Sequence, residues 1–140
     1  MFNPSRDQVR QFFLDAWGRH RRGEPLSGLE PVAVDLIRLH PEYHALLEDP
    51  AGAAREFSVE DGAMNPFLHL SLHLAIEEQL GIDQPPGLRA ALERLAAKLG
   101  DRHAALHEVL DCLGETMWRA QRDNAPPDAQ AYLECVRRRL

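Results

Sequence analysis

A chain of 140 residues with a formal net charge of −6 is long enough to close one hydrophobic core without staples, and it carries the wrong sign for general nucleic-acid binding. Its content of 44% apolar and 27% charged residues excludes a disordered chain and fits a globular one. No basic-flanked apolar leader and no apolar run near the ~20 residues that span a bilayer can be read in it, so a cytoplasmic protein without membrane contact is expected.

The first helix is expected to open at SRDQ, where Ser5 and Gln8 have capping-box spacing, with Val9, Phe12, Phe13, Ala16 and Trp17 on one stripe, and to end near Gly23. Ser27 and Glu30 repeat the box before a second helix whose Leu29, Ala33, Leu36, Ile37 and His40 share one side. Pro41 lacks a helical donor and clashes with the preceding turn, which predicts a break there and a short helix from Pro41 to Glu48, stopped before Pro50. Residues 51 to 64 carry glycines and charges but no stripe, and read as a loop.

Asn65 and Pro66 supply an N-cap and a first-turn proline for the next helix, which is expected to stop at Gly81. IDQPPG is not helical. Leu88, Ala91, Leu92, Leu95 and Leu99 form a further stripe closed by Gly100, and Asp101 caps a long helix to about Arg122, with Leu106, Leu110, Leu113 and Met117 facing inward. After NAPPD, a last helix over Ala129 to Leu140 buries Tyr132, Leu133 and Val136, and places Arg137, Arg138 and Arg139 where cations oppose its dipole. The expected fold is all-α: a single-domain bundle of five to six helices over residues 1–140. Cys112 and Cys135 belong to no CxxC pair, so neither a disulfide framework nor a thiolate zinc site is expected, and both read as inert small hydrophobes.

Seven histidines occupy positions 20, 40, 44, 69, 73, 103 and 107, and six of them form three pairs at a spacing of four. Random placement would give about 0.3 such pairs. Residues four apart on a helix point the same way, one turn apart, so each pair can converge on an ion. Glu48, Glu77 and Asp111 stand a further turn along, suited to a second ion or to the other ring proton of a ligand. No single helix completes a site, because zinc asks for about four ligands and non-haem iron for up to six.

His69 and His73 share the apolar side of their helix with Leu70, Ile76 and Leu80, whereas His103 and His107 sit beside the edge of theirs. The expected metal ligands are His69, His73, His103 and His107, with His44, His40, Glu77 and Asp111 as further ligands or ligand supports. Zinc or non-haem iron is the expected cofactor. A pair of ions about 3.5 to 4 Å apart would bring hydrolysis or oxygen chemistry, but no substrate and no reaction can be read from the residues. Sensing, storage or redox chemistry of a metal or small molecule therefore ranks above a defined enzyme.

The rival reading is a metal-free interaction module in which the imidazoles and carboxylates form a buried network that fixes helix register. In that case the proline-bounded loops or the arginine cluster RHRR (19–22) dock a protein partner or a second copy of the chain. A haem held by two histidines leaves the pairing unexplained. No glycine-rich phosphate loop is present, and Ser71 points away from the histidines, which argues against a serine nucleophile.

NPFLHLSLHLAIEEQLGIDQPPG (65–87), HPEYHALLEDP (40–50) and the opening MFNPSRDQVRQFF resemble a family of short bacterial proteins known as a domain of unknown function, number eighteen forty-one. The resemblance covers nearly the whole chain and implies a bacterial cytosolic protein without supplying an activity. The paired histidines are also similar in kind to hemerythrin and di-iron carboxylate bundles, but the Glu-x-x-His and His-x-x-x-Glu signatures of those proteins do not map here, so their function does not transfer.

Overall fold

The computed structural model describes residues 6–52 and 65–140, and all regular structure among them is helical. Seven α-helices follow in order: α1 (Arg6–Arg21), α2 (Glu30–Arg38), α3 (His44–Glu48), α4 (Pro66–Ile82), α5 (Leu88–Leu99), α6 (Arg102–Arg122) and α7 (Ala129–Arg137). A 3₁₀ turn, Pro41–Tyr43, precedes α3. Among the described residues the count exceeds the expected five to six, and it matches the seven helical segments read along the chain, the short one after Pro41 included. Ser5 and most of the expected 51–64 loop lie outside the described residues. No described helix is long and apolar enough to cross a membrane.

The chain gathers into two compact units, Met1–Leu74 and Ala75–Leu140, with α4 passing from one into the other. In the first unit, α1 packs on α2 and α3. Phe13, Ala16 and Trp17 of α1 meet Ala33, Val34, Leu36 and Ile37 of α2, Leu46 and Leu47 of α3, and Phe67 and Leu70 from the start of α4. Each large side chain among them contributes roughly 1.5–3 kcal/mol by leaving water. Arg10 is buried in the same unit, its guanidinium 4.9 Å from the centroid of the Phe67 ring. Half of the second capping box forms: the Glu30 carboxylate accepts from the Ser27 N–H at 3.0 Å and also pairs with Arg19.

In the second unit, α5, α6 and α7 pack pairwise. Leu88, Leu92 and Leu95 of α5, Leu106, Val109 and Leu110 of α6, and Tyr132, Leu133 and Val136 of α7 are buried. The expected caps form where short acceptors precede the helices: Asp101 accepts from the His103 N–H and Asp128 from Gln130 and Ala131. Asn65 does the same for Phe67 at the start of α4, in the first unit. After α4, Asp83 accepts from the Gly87 and Arg89 N–H groups, and Arg89 turns back to donate to the Leu80 and Gly81 carbonyls at the end of the helix. Gly87 has φ +98°, and a Cβ there would come within 2.9 Å of the Arg137 guanidinium, which accounts for glycine at this turn.

Three expectations are corrected. Leu29, Leu99 and Met117 are 42%, 43% and 40% exposed, because each lies at or near a helix end where the apolar stripe runs out past its neighbours. α4 runs through Gly81 to Ile82, since an isolated glycine weakens a helix without ending it. Finally, Cys112 and Cys135 are not separate hydrophobes but form a disulfide between α6 and α7, their Cα atoms 5.8 Å apart. Spacing of 23 residues is mute on this, because the pairing depends on α7 folding back along α6.

Candidate metal centre

The end of α2 explains the first histidine pair. A helix leaves its last carbonyls without intrahelical donors, and Pro41 removes a backbone N–H that would otherwise be at hand. Here the Leu39 and His40 N–H groups reach the Leu36 and Ile37 carbonyls at 3.1 and 3.0 Å, and two imidazoles add a second donor to each. His40 Nδ1–H donates to the Leu36 carbonyl at 2.7 Å, and His44 Nε2–H donates to the Ile37 carbonyl at 2.9 Å. The spacing of four therefore serves two neighbouring carbonyls, and the two rings part company. His44 lies against Trp17, ring centroids 4.6 Å apart. His40 is buried.

The carbonyl bond fixes the His40 tautomer. With its proton on Nδ1, Nε2 presents a lone pair, and that atom lies 3.1 Å from His69 Nε2 on the first turn of α4. His73 Nε2 lies 3.2 Å from the same His69 nitrogen, and the His73 ring is wholly buried. The ligand atoms of His40, His69 and His73 all fall within 4.8 Å of one another. Tyr43 stacks parallel to His40 at 5.4 Å and meets His69 edge-on at 5.9 Å. Burial raises the Tyr43 phenol above its ordinary value, with a smaller push from the Glu42 charge, so it lies against the cluster as a neutral wall.

Hydrogen bonding alone fits this trio poorly. His69 Nε2 is either protonated, and then donates, or unprotonated, and then accepts; it does not do both. Because His40 Nε2 carries no proton in the neutral ring, a neutral trio can form at most one linear hydrogen bond among these three atoms, or one shared by two acceptors. A cation satisfies all three lone pairs together. Ligand bonds of about 2.0–2.1 Å at tetrahedral angles put nitrogens roughly 3.3–3.4 Å apart, close to the two separations seen. The His40 Nδ1–H to Leu36 bond is also the outer contact that metal-bound imidazoles ordinarily make.

His103 and His107 lie on α6 with ring centroids 4.3 Å apart. Glu77 pairs with Arg102 at 3.2 Å, and Asp111 is exposed, 3.6 Å from Arg139. Glu48 faces Arg21. The sequence reading ranked His40 below the α4 and α6 pairs, yet His40 is the ring whose tautomer is fixed, and Tyr43 and the Leu36 carbonyl were not singled out at all. The signal is in HPEY, where a proline directly after a helix removes one backbone donor and the flanking histidines add side-chain donors to the last carbonyls.

These features define an all-α protein with a cluster of three imidazoles, His40 and His73 buried and His69 partly exposed. The chain belongs to the family described as domain of unknown function (DUF1841), whose model matches residues 5–138. No curated protein and no solved structure matched it.

Proposed function

We propose that the protein binds one zinc ion through His40, His69 and His73 and uses it to sense or store the metal. The observation that carries this reading is the meeting of three Nε2 atoms, 3.1 and 3.2 Å apart, around a His40 whose proton is held on the opposite side of its ring. Three neutral imidazoles suit zinc, whereas a non-haem ferrous site of the facial-triad type takes a carboxylate, and no carboxylate joins this group among the described residues. Iron is therefore the second choice.

Zinc asks for a fourth ligand. A water molecule can supply it, as in zinc sites that keep an open position. The ligands come from a turn and from a helix distant in sequence, so occupancy would tie the end of α2 to the start of α4. Metal binding is then folding free energy, which is the property a sensor needs.

The rival reading, a metal-free interaction module, draws support from the same short nitrogen separations, which are also hydrogen-bond lengths. Elemental analysis of protein made without a histidine tag in zinc-supplemented medium separates the two. The zinc reading expects about one equivalent per chain, lost in His73→Ala. No transition metal in the unaltered chain would leave the imidazole network as the better account.

A further inference from the structure

A separate feature of the second unit has no part in the zinc reading. The Cys112–Cys135 disulfide is asymmetric: Cys112 is wholly buried, while Cys135 is 9% exposed and forms part of the wall of a cleft between α6 and α7 with a volume of about 360 Å³. That volume lies within the ordinary range for small-ligand pockets. A thiolate arriving through the cleft meets Cys135 and not Cys112, and which sulfur is attacked depends on access.

Charge in the cleft decides the kind of thiol. Arg119 is held by Glu115 at 2.6 Å and Arg122 by Asp123 at 2.9 Å, while Asp128 accepts the N–H groups at the start of α7. Arg138 also lines the cleft, is exposed, and has no ion pair among the described residues. Three arginines and three carboxylates line the cleft, so it carries no net charge on a chain that carries −6 in total, and Arg138 is the lining cation left to meet an incoming anion.

We propose that Cys135 is a thiol–disulfide exchange site for a small thiol of net negative charge. The incoming thiolate forms a bond to Cys135 Sγ as the bond to Cys112 breaks. The electron pair leaves on Cys112, which takes a proton from solvent. A second molecule of the same thiol then attacks the mixed disulfide, releasing Cys135 as a thiol and the small thiol as its symmetrical disulfide. Two electrons enter the protein and two thiols are oxidised. Because the Cys112 thiolate departs into apolar surroundings, it is a poor leaving group, so the closed bond is kept until such a thiol accumulates.

The test uses the full chain with its disulfide closed, treated separately with 3-mercaptopropionate and cysteamine, small thiols of similar size and opposite charge. Reactions are quenched by alkylation and adducts located by peptide mass. Rates are compared per thiolate. The expected result is an adduct on Cys135 and a preference for the anionic thiol of about tenfold at low salt, in the range that local charge confers. The preference should disappear in Arg138→Glu and in high salt with the unaltered chain. The overall charge of −6 favours the cationic thiol, so the preference would report the cleft. An adduct on Cys112, equal or faster reaction with cysteamine, no effect of Arg138→Glu, or cysteines that alkylate without prior reduction would each overturn the proposal.

Discussion

The two units solve the same problem, holding short helices together, by different chemistry. In Ala75–Leu140 the solution is apolar and covalent: leucine stripes on α5, α6 and α7, with a disulfide across the last two. In Met1–Leu74 an apolar core is joined by buried polar groups, His40, His73 and Arg10, at places where leucine would cost nothing in desolvation. A core that could have been apolar but holds imidazoles with converging lone pairs is arranged for a ligand as well as for stability. The histidine pairs teach the same lesson. His40 and His44 share a helix end and diverge, while His69 and His73 share a helix face and converge, so spacing alone does not tell a metal pair from a pair of caps.

The largest effect should come from splitting the first pair. His40→Ala is expected to weaken zinc binding by more than about 100-fold, whereas His44→Ala should change it less than about tenfold and cost about 1 kcal/mol in stability through the Ile37 carbonyl. Competition with a chromogenic chelator and thermal unfolding read the two quantities. Equal losses of affinity would erase the distinction between ligand and cap. In the second unit, Cys112→Ala together with Cys135→Ala should remove roughly 3 kcal/mol, the chain-entropy value for a loop of this length. Urea unfolding with and without reductant checks it, and a reductant-insensitive midpoint for the unaltered chain would show that the staple contributes nothing.

The smallest effect is a pH dependence confined to Glu30. The Ser27 N–H is the largest influence on its carboxyl and lowers it; burial pushes the other way, and the Arg19 guanidinium adds to the lowering, so the group lies below the ordinary value of 4.5. A folded-state value below the unfolded one means the charged form stabilises the fold. That contribution is full above the ordinary carboxylate range and is lost as pH falls through the lowered value. The stability difference between the unaltered chain and Glu30→Gln should thus be constant at neutral pH and shrink in acid, and a difference that grows in acid would contradict the assignment.

The all-α class, the caps at Asn65, Asp101 and Asp128, and the inward residues of α7 follow from local rules that act within a turn or two, and so could be read from the residues. The disulfide and the exposure of Met117 and Leu99 depend on where one helix stops relative to another, which spacing does not record. The cluster was half legible. That α4 carries two inward imidazoles was plain from HLSLH; that His40 and Tyr43 stand beside them depends on the turn made after Pro41, which the sequence announces without giving its direction.

The most direct measurement is X-ray absorption at the zinc edge of the zinc-loaded, untagged protein. Three or four nitrogen neighbours at about 2.0–2.1 Å, with the outer scattering of imidazole rings, are the predicted result. A shell dominated by oxygen or sulfur, or a chain that retains no zinc, would contradict it.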